Sequence, residues 1–254
     1  MELRVLGCSG GIGEQLRTTS LLLNSEVLID AGTGLGDLTL QEMGCIRHIF
    51  LTHSHLDHVT GLPLLIDSIF DRIKSPLVIH AQPPTLKAIQ DHIFNNVIWP
   101  DFSLLPSRDQ PVLSYEVLKP GETIQLGELN MTMVEVNHVV PAVGYIMRTP
   151  NHTSAFTGDT STNDTFWPAL NGLDRLDTLI VEAAFTNSDK KLSQQAGHYC
   201  PSTLAADLTK LRHKPNIYLS HHKPGAEAKI LAECQHEITT HTVDSLHGGQ
   251  IIQL

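Results

Sequence analysis

The sequence predicts an α+β fold, a β-sandwich core with helices outside. Three observations point there. Strand-length apolar runs outnumber segments of helical periodicity. The two kinds are mixed along the chain, and a purely alternating doubly wound sheet fits that mixture less well. No low-complexity tract or linker divides residues 1–254, so one domain over the whole chain is expected, at a length common for a layered α/β unit.

The elements follow in order. "MELRVLGCSGGIG" reads as a strand and a glycine turn. It lacks a basic n-region and a sustained apolar h-region, so a signal peptide is not expected, and cytoplasm is the default location. No apolar run approaches the length of a membrane span, so no membrane partner is expected. "SLLLNSEVLIDAG" reads as two strands around the turn pair Asn24-Ser25. "RHIFLTH" is a strand by its apolar run. "GLPLLIDSIFDRIKS" reads as a helix, with Leu62, Leu65, Ile66, Ile69, Phe70 and Ile73 on one face. "PLVIHA" is a strand and "PPTLKAIQDHIF" a helix with proline in its first turn. Residues Asn95 to Pro120, with Pro100, Pro106 and Pro111 among polar residues, read as an irregular loop over a pocket. "TIQLGELNMTMVEVNH" reads as a hairpin turning near Gly127-Glu128, and "VGYIMRTP" and "TSAFTGDT" flank a turn at Asn151-His152. Strands are expected at "TLIVEAAF", "NIYLSHH" and "GQIIQL", and helices at "CPSTLAADLTKLRHK" and "GAEAKILAECQHE".

The formal net charge of −10 argues against wide contact with a phosphate backbone. It leaves room for a small phosphorylated substrate, because a local metal charge can outweigh the overall field. The cysteines Cys8, Cys45, Cys200 and Cys234 form no C-x-x-C pair, so neither a zinc ribbon nor a disulfide framework is expected.

The chemistry concentrates in "LTHSHLDHVTGLP", residues 51–63. In extended backbone, residues two apart face the same side, so His53 and His55 can bind one ion together. The chain must then turn, and Asp57 and His58 can present a carboxylate and an imidazole to a second ion. Imidazole with carboxylate suits zinc, manganese or iron, and the lack of thiolate argues against a closed structural zinc site. One cluster cannot complete two sites. The remaining candidates stand just past apolar strands: Asp30 after "EVLI", His138 after "MVEVN", Asp159 after "SAFTG" and His221 after "NIYLS".

"VLIDAG", "THSHLDH", Asn137-His138, "TGDT" and "LSHHKP" occur in the order of the motifs of the metallo-β-lactamase fold, and the chain resembles that family over nearly its whole length. The resemblance implies an αββα four-layer sandwich and two divalent metal ions, zinc first, with manganese or iron as alternatives. It implies that His53, His55 and His138 hold one ion, that Asp57, His58 and His221 hold the other, and that Asp159 bridges. Asp30 would orient ligands without binding. His222 competes with His221, which the family pattern favours because it directly follows Ser220.

Leu56 within "HSHLDH", together with "IWPDF", "GDTSTNDTFW", "VEAAFTN", "GHYCP" and "SHHKPG", is similar to the bacterial class II cyclic-nucleotide phosphodiesterases. Pro63 and Ser68-Ile69 depart from that signature, and "GLPLL" resembles the ribonuclease branch that trims tRNA 3′ ends. The resemblance implies hydrolysis of 3′,5′-cyclic nucleotides, cAMP or cGMP, to 5′-nucleotides through a metal-bridging hydroxide. Glu182 would orient His198, which would protonate the departing ribose oxygen, and Asp57 would double as acceptor of the water's proton. The alternatives are a tRNA 3′-processing-type ribonuclease or another hydrolase of the fold. The expected partner is a small cyclic nucleotide and no extended nucleic acid. A homodimer stays open. "GCSGGIG" is similar to a phosphate-cradling loop, with a tight turn as the alternative. Trp99 and Phe102 can stack a nucleobase, with packing as the alternative. His48, His80, His92, His152, His213, His236, His241 and His247 are expected at the surface or in packing.

Overall fold

The computed structural model describes residues 1–254. It contains two seven-stranded sheets. The first runs, edge to edge, through Ile251–Gln253, Glu2–Gly7, Ser20–Leu23, Val27–Ile29, His48–Phe50, Leu77–Ala81 and Leu113–Val117. The second runs through Thr123–Leu126, Leu129–Val136, Ala142–Arg148, Thr153–Phe156, Thr178–Glu182, Asn216–Ser220 and Val243–Ser245. In this order each sheet has three antiparallel pairings followed by three parallel ones. The hairpins at Asn24-Ser25 and Gly127-Glu128 supply antiparallel pairs directly. The parallel pairs need crossovers, and the helices fill them.

Side-chain alternation sorts the residues into layers. Leu3, Val5, Leu21, Leu23, Val27, Ile29 and Phe50 of the first sheet meet Met131, Met133, Val143, Tyr145, Met147, Phe156 and Ile180 of the second in one apolar cluster. Leu22, Leu28, Ile49 and Ile79 face the other way. They pack with Leu62, Leu65, Ile66, Leu86 and Ile89 from the helices Gly61–Ser68 and Pro83–His92. On the far side, Leu179, Val181 and Leu219 pack with Trp167, Leu204 and Ile230 from the helices Phe166–Asn171, Pro201–Leu208 and Glu227–Glu237. Three apolar interfaces separate four layers, helix, sheet, sheet, helix, as the αββα expectation requires. Phe50 and Tyr145 meet edge-on across the middle interface at 5.5 Å, and the Tyr145 hydroxyl donates to Leu51 O at 2.7 Å. That bond satisfies the one polar atom the ring carries into the core.

The structure corrects the sequence reading at several places. The helix from Gly61 stops at Ser68, and a short 3-10 turn covers Phe70–Arg72. The break buries Ile69 and sets Phe70 against Phe102 at 5.7 Å, so tertiary burial overrides the helical period. The segment read as an irregular loop contains an edge strand, Leu113–Val117, paired in parallel with Leu77–Ala81. An edge strand has one neighbour and tolerates the Ser114 and Glu116 that disguised it. Phe102 is buried against Phe70 and Phe94, and Trp99 packs on the same cluster, so packing is what the structure gives these rings. The strand Val243–Ser245 and the helices Phe166–Asn171 and Lys190–Gln195 were not anticipated.

The candidate polar residues share one end of the sandwich. Asp30 follows Val27–Ile29, His138 follows Leu129–Val136, and His221 follows Asn216–Ser220. His53 and Asp159 each lie three residues past a strand end, and Glu182 closes its own strand. Carboxyl ends of parallel strands leave room for loops that converge, which is where open α/β sheets place their sites.

Candidate metal centre

His53 and His55 arrive on the extended chain leaving His48–Phe50. The helix Leu56–Val59 begins immediately after, with His55 at its N-cap. The extended part and the helix aim their side chains differently. His53 and His55 join His138 and Asp159, with one ligand atom each within 4.8 Å of the others. Asp57 and His58 join His221 and again Asp159 on the same criterion, all within 4.8 Å. The division read from the spacing is thus the division in space, and Asp159 stands in both groups.

Distances define the two groups. In the first, His138 Nε2 lies 3.2 Å from His55 Nδ1, and His53 Nε2 lies 3.7 Å from Asp159 Oδ2. In the second, His58 Nε2 lies 3.3 Å from Asp159 Oδ2, and His221 Nδ1 lies 3.3 Å from Asp159 Oδ1. Asp57 Oδ2 lies 3.8 Å from both His58 Nε2 and His221 Nε2. His222, the competitor of His221, turns away, with Nδ1 against Ala183 O at 2.7 Å and Nε2 against Ser245 Oγ at 3.0 Å. None of the eight histidines set aside on sequence joins either group.

The surroundings fix tautomers. His138 Nδ1–H donates to Gly197 O at 2.8 Å, which leaves Nε2 facing His55. His58 Nδ1–H donates to Asp30 Oδ2 at 2.7 Å, which leaves Nε2 facing Asp159. Asp30 also accepts Thr52 N–H at 2.8 Å and the Thr52 hydroxyl at 2.8 Å, and that hydroxyl lies 2.9 Å from His53 Nδ1. One buried carboxylate therefore orients two rings, His58 directly and His53 through Thr52. Asp30 and His221 both have left-handed backbones, φ 55° and 61°. Such a conformation costs about 1–2 kcal/mol at a non-glycine residue and tends to persist at functional positions.

The donor chemistry fits divalent ions. His53 Nε2 and His58 Nε2 are buried and have no hydrogen-bond partner, although both rings are otherwise held. An orphaned buried imidazole nitrogen is costly unless something accepts its lone pair. Burial pushes His53 well below the ordinary histidine range, His138 down to about 4 and His221 down to about 3. These rings are neutral at physiological pH, the form that ligates. Burial pushes Asp159 up, but His221 and His58 pull it down further, and it stays ionised well below the usual carboxylate range. Burial pushes His58 down, but Asp159 and Asp30 raise it well above its ordinary value. The two carboxylates thus favour a cation at His58, and a metal ion would compete with a proton for that place.

A second dyad abuts both groups. Glu182 Oε1 accepts His198 Nδ1–H at 2.7 Å and Thr160 N–H at 2.9 Å. Its Oε2 accepts Ala184 N–H at 3.1 Å and Tyr199 N–H at 3.2 Å. Burial pushes the Glu182 carboxyl up, and these partners pull against it. Burial pushes His198 down, but Glu182 and Asp159 together raise it, so it holds its proton above the ordinary range. The His198 ring is 5.0 Å from that of His138 and 5.2 Å from that of His221. Leu56, between His55 and Asp57 in the chain, is 70% exposed. Cys200 is buried at the start of its helix against Ser202 and Thr203, a packing position.

Sequence reasoning missed Thr52, Gly197 O and the three backbone amides on Glu182. Thr52, a hydroxyl residue immediately before the first histidine, was the one readable signal. Asp30→Ala should lower metal affinity about 10- to 100-fold, the usual cost of losing a partner that orients ligands, with Asp30→Asn intermediate. Metal titration with a chromophoric chelator measures it.

A beta-lactamase superfamily domain profile matches residues 25–222. A probable 3′,5′-cyclic-nucleotide phosphodiesterase of Yersinia pestis is 30% identical over 183 residues, covering 65% of this chain and 51% of the relative. The ribonuclease Z of Methanopyrus kandleri is 29% identical over 158 residues, covering 59% of this chain and 51% of the relative. The chain spans about half the length of these curated relatives. Among solved structures, unliganded yeast PDE1 superposes with a TM-score of 0.82 at 20% identity, over 100% of this chain and 99% of that one, a likeness of fold. No helix is long and apolar enough to cross a membrane.

Proposed function

The chain belongs to the beta-lactamase superfamily, a family of metallo-β-lactamase-fold hydrolases whose fold implies divalent metal binding, and from that premise we propose a dinuclear phosphodiesterase acting on 3′,5′-cyclic nucleotides. The observation that carries the proposal is Asp159, shared by both donor groups, with the His198–Glu182 dyad against them. His53, His55, His138 and Asp159 would hold one ion, and Asp57, His58, His221 and Asp159 the other. Zinc suits this imidazole and carboxylate set, with manganese or iron next. Two divalent ions, when bound, polarise phosphoryl oxygens and supply a nucleophilic water at neutral pH.

The chain's own residues do the rest. Glu182 holds His198 Nδ1, which leaves Nε2 to deliver a proton to the departing ribose 3′-oxygen as the P–O bond breaks. Asp57, the least buried of the ligand candidates by side chain among its group at 31% exposure, takes the proton lost by the attacking water. Asp30 and Thr52 keep His58 and His53 in the tautomers that ligate. The product is a 5′-nucleotide.

The Yersinia pestis relative supports the cyclic nucleotide as substrate, and so does the charge of −10, which disfavours a long polyanion. The Methanopyrus kandleri relative favours the second reading, a tRNA 3′-processing ribonuclease using the same ligands. The proposal is tested by stripping the protein with chelator and restoring metal in steps. Hydrolysis of a generic aryl phosphodiester should return in step with two equivalents of ion. Activity indifferent to chelation would refute the dinuclear assignment.

A further inference from the structure

Lys223 follows the two histidines His221 and His222, and its ammonium folds back onto the Gly10 loop. Its Nζ donates to Gly10 O at 2.9 Å. Gly10 lies against the His221 imidazole, since a Cβ there would stand 3.0 Å from His221 Cδ2 and 2.5 Å from His221 O. A Cβ on Gly11 would meet Pro224 at 2.9 Å. These glycines permit close approach of the loop to the strand end, the tight-turn alternative for "GCSGGIG". On its other side, the ammonium stands 5.8 Å from the centroid of the Phe185 ring. That ring is in turn 5.8 Å from the ring of His198. The cation therefore lies between the Gly10 carbonyl, which neighbours His221, and the Phe185 ring, which neighbours His198. It is half-buried, over an aromatic face that holds it in place. The chain gives it one acceptor, while an ammonium has three N–H donors.

We propose that Lys223 is a substrate-binding residue, its ammonium receiving a phosphoryl oxygen of the anionic ester brought to the metal centre. This rests on the phosphodiesterase reading for the identity of the ester, and on geometry alone for the anion contact. A point cation on a flexible stem suits a phosphoryl oxygen that changes position between substrate and product. A purely structural role, tying down the loop at Gly10, would show itself in folding or metal content instead.

The test is calorimetric binding of inorganic phosphate to the metal-loaded protein, with metal content and Tm measured alongside. Lys223→Gln should keep two equivalents of metal and the parent Tm, yet bind phosphate about tenfold more weakly, the lower end for a hydrogen bond to a charged group. Lys223→Arg should restore most of that affinity. On an aryl phosphodiester the loss should appear mainly in KM, with kcat within about twofold. Should Lys223→Gln fold poorly, Lys223→Met keeps the aliphatic stem over Phe185 and is read in the same way. Phosphate affinity unchanged in the folded neutral variants would overturn the assignment, as would a loss of metal or Tm that alone accounts for weaker binding. Lys223-dependent phosphate binding without any phosphodiester hydrolysis would uphold this contact while removing the proposed function.

Discussion

Asp159→Ala should lower kcat/KM by about a thousandfold or more, the several kcal/mol expected from losing metal-assisted charge stabilisation. Its Oδ2 faces His53 and His58, and its Oδ1 faces His221. No other side chain belongs to both four-residue donor groups. Removing it also removes the negative charge that would balance two cations in a buried pocket, so both equivalents of metal should bind more weakly. Asp159→Asn keeps the volume and one oxygen but not the charge, and should resemble alanine in activity while retaining more of the fold. Turnover on an aryl phosphodiester, with metal content by atomic emission and folding by circular dichroism, separates these effects. Activity within tenfold of the parent at full metal occupancy would contradict a shared ligand.

His198→Ala should lower kcat by about 10²- to 10⁴-fold on a substrate with a poor leaving group, the range for a lost general acid. An aryl phosphodiester has a leaving group that needs little protonation, so its kcat should change far less. The contrast between substrates identifies the role, because a structural defect would depress both. The pH profile gives a second reading. Glu182 raises the His198 pKa, so the proton is present below the raised value and lost as pH climbs through it. The parent should lose activity on the alkaline side of that value, and the alanine variant should lack this limb. Glu182→Gln keeps the backbone amide contacts in part but removes the charge, and should shift the limb to lower pH.

The fold and the ligand groups were legible for different reasons. The strands are short and apolar, and the inner and outer faces of the two sheets follow from alternation, as at Leu21-Leu22-Leu23. Each candidate ligand could be found because it follows such a run. The split of His53 and His55 from Asp57 and His58 was readable from the geometry of an extended chain. That all of them converge on Asp159 is a property of the packed sheets, and only the family resemblance suggested it. The edge strand Leu113–Val117 was hidden because an edge position relaxes the apolar requirement. The orienting contacts were hidden for another reason. Gly197 O and the amides of Thr160, Ala184 and Tyr199 are backbone groups, and any sequence would supply them. Lys223 carries no such signal, since a lone lysine in a sequence is ordinarily a solvated surface charge.

Cyclic AMP and a precursor tRNA, offered side by side to the metal-loaded protein, test the central claim most directly. Cyclic AMP should be hydrolysed to 5′-AMP with a kcat/KM well above that for precursor tRNA, and chelator should abolish the reaction. Cleavage of the precursor tRNA with no hydrolysis of cyclic AMP or cyclic GMP would contradict it and assign the same ligands to the ribonuclease reading.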